Sequence, residues 1–192
     1  MEPSLSEYNG MQGVAWRLQS VDLAMTKVPL AQESVEPNPT IVKNGSKRHF
    51  FLGGRGVLLS IVMTGANRHE SPQIGVVLDG VMVNRLNTPQ RINKHLCTDA
   101  GYIQAPALKT IEEHAYILQI KGRGQETDKL KSDLTKKASR WLVEVAYNWF
   151  NRFCKLLVQY EKLDRSFIAP NHLAASIMEP RNIKLSVNTI YG

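Results

Sequence analysis

Apolar and polar residues alternate, imperfectly, from Trp16 to Lys27. Trp16, Leu18 and Ser20 fall on one side and Arg17, Gln19 and Val21 on the other, the period of two that marks a strand. Pro37, Asn38 and Pro39 in AQESVEPNPT break helix and sheet alike, so a loop follows. His49–Leu52 and Val57–Thr64 are β-rich runs, and Gly53, Gly54 and Gly56 supply the turn of a hairpin between them. Ser71 as N-cap and Pro72 in the first turn predict a helix from about Pro72 to Val83. A basic polar loop over 84–94 leads to a short strand and turn, His95–Tyr102. Ala105–His114 then reads as a helix and Tyr116–Ile120 as a strand.

The longest periodic stretch runs from about Leu134 to Lys162. Leu142, Val145, Trp149, Phe153, Leu156 and Tyr160 recur at spacings of three and four, so it reads as one long helix. A final helix over about Ser166–Met178 is weakened by Pro170. A hairpin start followed by alternating strands and helices predicts an α/β fold with a mixed sheet flanked by helices. We expect one domain over 15–183, after a loosely ordered leader (1–14) and before a tail (184–192).

Composition narrows the function only a little. The 192 residues, 43% hydrophobic, suffice for one well-filled core. No apolar run approaches the roughly 18 residues of a membrane span, and the first ten residues have no signal-peptide pattern. Cys97 and Cys154 lie among apolar residues and read as reduced core thiols, which together with the missing signal suggests a cytoplasmic protein. The absence of a CxxC pair argues against zinc. The net charge is +7, and from Lys121 to Arg140 seven basic residues face three acidic ones. That segment is exposed; by charge alone, a solvated surface and a phosphate-contacting one are equally good readings.

Three carboxylates occupy suggestive positions. Asp22 lies at the end of the first strand, Asp99 at the end of the fourth, and Glu144 on the long helix. Strand ends are where α/β sheets bind ligands, and converging carboxylates suit divalent-metal phosphodiester chemistry. Taken singly, each has a plainer role. The aspartates are ordinary turn formers, and Glu144 has Arg140 one turn before it as a surface partner.

The surrounding strings carry more. SVDLAMTK, GSKRHFFLGGRGVLLSIVMTGANRHE, HLCTDAGY, KGRGQE and RWLVEVAYNWFNRFCKLLVQYEKLDRSF resemble, in this order, the DDE-type bacterial insertion-sequence transposases, whose domain is ribonuclease H-like. The resemblance spans about Trp16 to Ile183. It implies a catalytic and metal-binding triad of Asp22 (in the VD motif), Asp99 (in DAGY) and Glu144 (in W-x-x-E), with Mg2+ or Mn2+ as cofactor. Arg140 and Arg152, on the same helix, become phosphate ligands, with Asn148 and Asn151 nearby; Trp141 and Trp149 read as core. Lys47 and Arg48, with His49, and the basic residues Lys121, Arg123, Lys136 and Lys137 become candidate DNA contacts. For the 47–49 run a solvated hairpin edge is an equal alternative. Asn67 and His69 of the GANRH string are placed near the site.

The implied activity is cleavage of double-stranded DNA at element ends and strand transfer to target DNA. The implied partners are that DNA and a second transposase chain, as homodimer or mixed dimer, with no membrane. The sequence also departs from the family pattern. Leu23 follows the first aspartate where a small residue is usual, Gly53 stands for an aspartate, Cys154 for a basic residue, and Pro170 interrupts the last helix. Only 21 residues precede Asp22, which reads as an N-terminally truncated copy. The alternative is therefore a catalytically inactive DNA-binding remnant that inhibits the full-length enzyme. A ribonuclease H-like nuclease without a transposition role is a third reading.

Overall fold

The computed structural model describes residues 16–30, 36–37, 44–81, 93–102, 104–120 and 143–191. The first ten-residue strand, β1 (Leu18–Lys27), takes the centre of a six-stranded sheet. On one side it pairs antiparallel with β3 (Asn44–Gly53), which in turn pairs antiparallel with β4 (Leu58–Gly65) and with the two-residue β2 (Glu36–Pro37). On the other side β1 runs parallel to β5 (Lys94–Thr98), and β5 parallel to β6 (Tyr116–Ile120). Parallel neighbours need crossover connections, and helices supply them. Helix α1 (Ile74–Asp79) lies between β4 and β5, and α2 (Ala105–Glu113) between β5 and β6.

Both faces of the sheet are covered, which is why GSKRHFFL does not alternate between apolar and polar. In β3, Phe51 faces α1 and α2 and packs with Val21, Ile74, Leu78, Leu96 and Ile111. Its neighbours Phe50 and Leu52 face the other way, toward a helix over 143–150 (α3) and the long α4 (Asp164–Tyr191), joining Phe150, Phe167 and Met178. A bulge between Phe51 and Leu52 leaves Leu59 as an extra residue of β4, so Leu58 and Leu59 serve opposite cores. The hairpin turn forms where expected. Gly56, at φ 78°, donates to the Gly53 carbonyl at 2.8 Å, a conformation that suits glycine.

The structure corrects several expected boundaries. The helix after β4 starts with a 3-10 turn, Ser71–Gln73, in which Ser71 is buried rather than capping, and it ends at Asp79 before Gly80. Among the described residues, the expected Leu134–Lys162 helix is α-helical only over 143–150, with a separate 3-10 turn at Cys154–Leu156. No glycine or proline stops it. Instead Val158 bridges Lys27 at the end of β1, the Gln159 N–H donates to the Lys27 carbonyl at 2.9 Å, and Ser46 Oγ donates to Gln159 Oε1 at 2.9 Å. A continued helix would carry Gln159, now fully buried, away from these partners. Tyr160 consequently leaves the apolar stripe at 59% exposed, and Cys154 is an exposed thiol rather than a core one. The last helix runs straight through Pro170, because Phe167, Asn171, Ala174 and Ala175 are buried against the sheet on either side of it. No helix among the described residues is long and apolar enough to cross a membrane.

One position is locally strained. Helix α2 closes at His114, and Ala115 follows at φ 58°, in the left-handed region where helices usually place glycine. Ala115→Gly should therefore raise unfolding free energy by about 1 kcal/mol. In thermal melts this corresponds to roughly 2–4 °C; an unchanged or lower midpoint would show that the site carries no strain.

Candidate active site

The parallel pairing of β1 with β5 ends at Val21 opposite Thr98. Asp22 and Asp99 are each the next residue, so register alone sets them side by side at the carboxyl edge of the parallel strands. Asp22 is not at a strand end, as expected, but is the fifth of ten residues, because β1 continues along β3. Asp99 is the first residue beyond β5. It opens a 3-10 turn, Ala100–Tyr102, closed by the Tyr102 N–H donating to the Asp99 carbonyl at 3.1 Å.

Asp22 stands opposite Phe50 in the antiparallel pair, and such partners share a face of the sheet. That face is covered by α3, whose Tyr147 packs edge-on against Phe50 with ring centroids 5.1 Å apart. The half-buried Asp22 carboxylate accepts the Leu23 N–H at 2.8 Å. Burial first, and then the charge of Asp22, push the Tyr147 hydroxyl well above its ordinary pKa. Glu144 lies one turn before Tyr147 on the same helix and is exposed. The structure thus brings Asp22 and Asp99 together and sets the helix bearing Glu144 over the face that Asp22 shares.

Tyr102, from the DAGY string, is fully buried. Its hydroxyl lies 2.7 Å from His49 Nδ1, and His49 Nε2 lies 2.9 Å from Thr64 Oγ1. Burial, then Glu70, Asp22 and Asp99 in that order, raise the Tyr102 pKa. The phenol therefore stays protonated and donates to His49, leaving Nε2–H for Thr64. Burial, helped by Lys47, lowers His49 to about 4. Two opposed carboxylates and a held phenol thus come from β1, β5 and the turn after it, with a neutral imidazole behind them.

The candidate DNA contacts separate clearly. Arg48 is not on a hairpin edge. It is 4% exposed, stacks over Phe50 and Phe167, and donates from Nη1 to Asn171 Oδ1 at 3.1 Å; burial lowers its pKa to about 10. His49 is inside the opposite core, because a central strand has no solvent face. Lys47 is 14% exposed and its Nζ is engaged with Glu70 and the Arg68 carbonyl. Arg152 is exposed, with its guanidinium 4.7 Å over the Trp149 ring. Asn67 and His69 are exposed at the exit of β4. Lys121, Arg123, Lys136, Lys137 and Arg140 lie outside the described residues. The sequence reading missed Glu70 and the Tyr102–His49 pair. Polar residues within an otherwise buried strand (KRHFFL) were the available signal.

Asp22 and Asp99 offer the hard oxygen donors that magnesium or manganese takes. Among the described residues, however, no three His, Cys, Asp or Glu side chains are grouped closely enough to hold an ion. The donor chemistry suits such an ion, and a third ligand is not drawn in among the described residues.

Three antiparallel strands are thus extended by two parallel ones in a mixed sheet covered on both faces, with neighbouring aspartates at the parallel edge. Residues 96–180 match the "Transposase DDE domain" family, a span that includes Asp99 and Glu144. The chain is 27% identical over 129 residues to a putative transposase for insertion sequence element IS402 from Burkholderia cepacia. The match takes in 66% of this chain and 59% of that protein. Both matches make the chain similar to transposases of the DDE type, and it spans less than two thirds of the length of the relative it matches. Among solved structures it is similar to the catalytic domain of the Mos1 mariner transposase, at 10% identity and a TM-score of 0.46 over 95% of this chain and 84% of that one. It is also similar to the Mos1 mariner paired end complex with Mn, at 8% identity and a TM-score of 0.40 over 77% and 59%.

Proposed function

We propose that this chain is the catalytic domain of a transposase that cuts and joins double-stranded DNA at insertion-sequence ends. The observation that carries this reading is the register of β1 and β5, which sets Asp22 and Asp99 side by side just past Val21 and Thr98. Asp22, Asp99 and Glu144 would hold magnesium or manganese, which supplies charge neutralisation and activation of the attacking oxygen in phosphodiester chemistry. The chain's own part is to place two carboxylates at the edge of the sheet and to carry Glu144 on α3, the helix that covers the face Asp22 shares. Arg152 and the basic residues Arg140, Lys121, Arg123, Lys136 and Lys137 would contact the phosphate backbone. Lys47 and Arg48 have no part in that contact. A second transposase chain would hold the other DNA end.

The test is a gel assay of the purified chain with manganese and labelled DNA bearing element ends. Cleavage and joining by wild type, and loss of both in Asp99→Ala with DNA binding retained, are expected. Full cleavage by Asp99→Ala would remove the assignment. Because the described carboxylates do not form a closed group of three, a second reading is a DNA-binding chain without cleavage. It predicts salt-sensitive binding and intact DNA in the same assay.

A further inference from the structure

We propose that Glu70, held by Lys47, is a positioning residue that fixes the turn carrying Asp99. The inference rests on the reading of Asp99 given above. Strand β5 stops at Thr98, so the sheet no longer sets the backbone at Asp99. The turn that follows has one described backbone bond across it, from the Tyr102 N–H to the Asp99 carbonyl. Its middle residue, Gly101, abuts the Glu70 carboxylate, and a Cβ at Gly101 would collide with that carboxylate.

Glu70 cannot easily move aside. Its side chain is 21% exposed, and Lys47 Nζ donates to its Oε1 at 3.3 Å and to the Arg68 carbonyl at 2.8 Å. Lys47 sits on β3, where it is paired on both sides, opposite Met25 of β1 and Thr64 of β4. The ion pair therefore ties the most firmly bonded strand, the exit of β4 and the Asp99 turn into one unit. Partial burial makes the pair less screened than a surface one. The same carboxylate is, after burial, the largest contributor to the raised pKa of Tyr102, the last residue of the Asp99 turn. A side chain at 101 would force the Glu70 carboxylate, whose other oxygen bonds Lys47, to shift from the turn.

A ligand held by a supporting residue of this kind typically loses about 10–100-fold in metal affinity when the support is removed. Binding of Mn2+ alone to the full chain, followed by the electron paramagnetic resonance signal of the free ion, tests this directly. Asp99→Asn is the control for the site. Glu70→Gln and Gly101→Ala should each weaken Mn2+ binding about tenfold or more. Combining Gly101→Ala with the shorter acid in Glu70→Asp should recover most of the loss, because space for the methyl group returns while the charge stays near Lys47. Should Glu70→Gln not fold, the Gly101→Ala pair of variants carries the comparison by itself. Wild-type Mn2+ affinity in Glu70→Gln or Gly101→Ala, with Asp99→Asn weakened, overturns the positioning role. Unchanged binding in Asp99→Asn overturns the metal-site reading itself, and the role of Glu70 with it.

Discussion

Asp22→Asn should stop DNA cleavage while leaving the fold as stable as wild type. Asparagine has the shape of aspartate and keeps an acceptor for the Leu23 N–H, so the local bond at 2.8 Å can persist. What it removes is a charge that is partly withdrawn from water on the face covered by α3. A carboxylate that holds a metal ion in phosphodiester chemistry contributes several kcal/mol to the transition state, so the loss should be about 1,000-fold or more. The same substitution removes one of the charges that raise Tyr147 and Tyr102, and a desolvated anion is a cost to folding. Its melting temperature should therefore equal or exceed that of wild type. Cleavage kinetics and a circular dichroism melt on one preparation check both halves. Cleavage at the wild-type rate would remove Asp22 from the site, whereas a collapse in melting temperature would make its role structural.

The second large effect is on stability. His49 is fully buried between Tyr102 and Thr64, and burial with the nearby Lys47 lowers its pKa from 6.5 to about 4. As pH falls below about 6.5 the unfolded chain takes up a proton that the folded chain refuses until about pH 4. Stability contributed by neutral His49 is thus complete above pH 6.5 and declines through the window from 6.5 to 4. Over that window the decline amounts to about 3 kcal/mol. Urea unfolding at pH 7.5, 6, 5 and 4 should show it in wild type. His49→Asn, which cannot take the proton, should lack this component even though its stability at pH 7.5 is lower. His172, also held below its ordinary value by burial, contributes with the same sign in both proteins and cancels in the comparison. Parallel pH profiles for the two proteins would show that His49 is not the titrating group.

Much of this architecture was legible in one dimension. Local pattern suffices where an element is short and bounded by its own turn chemistry. The strand Tyr116–Ile120 agrees to the residue, α2 to within one, and the glycine-rich turn before Val57 closes the hairpin as read. The positions of the three carboxylates came from the motif strings, and the register of β1 with β5 then gave Asp22 and Asp99 a shared edge.

The rest depended on contacts between residues far apart in the chain. Periodicity over Leu134–Lys162 has no internal stop, and only the docking of Val158 and Gln159 on the end of β1 ends the helix after residue 150. Charge at Lys47 and Arg48 suggested a surface. In fact β3 is sandwiched between two strands and two helical layers, which turns those cations into a half-buried ion pair and a core stacking group. The strand end inferred at Asp22 is an end only with respect to β5, a distinction that exists once partners are known. Local pattern determined which short elements form, because that depends on near neighbours, and the motif strings supplied the candidate carboxylates. Which charges face solvent, where a helix stops and what stands behind Asp99 were decided only when the sheet buried both of its faces.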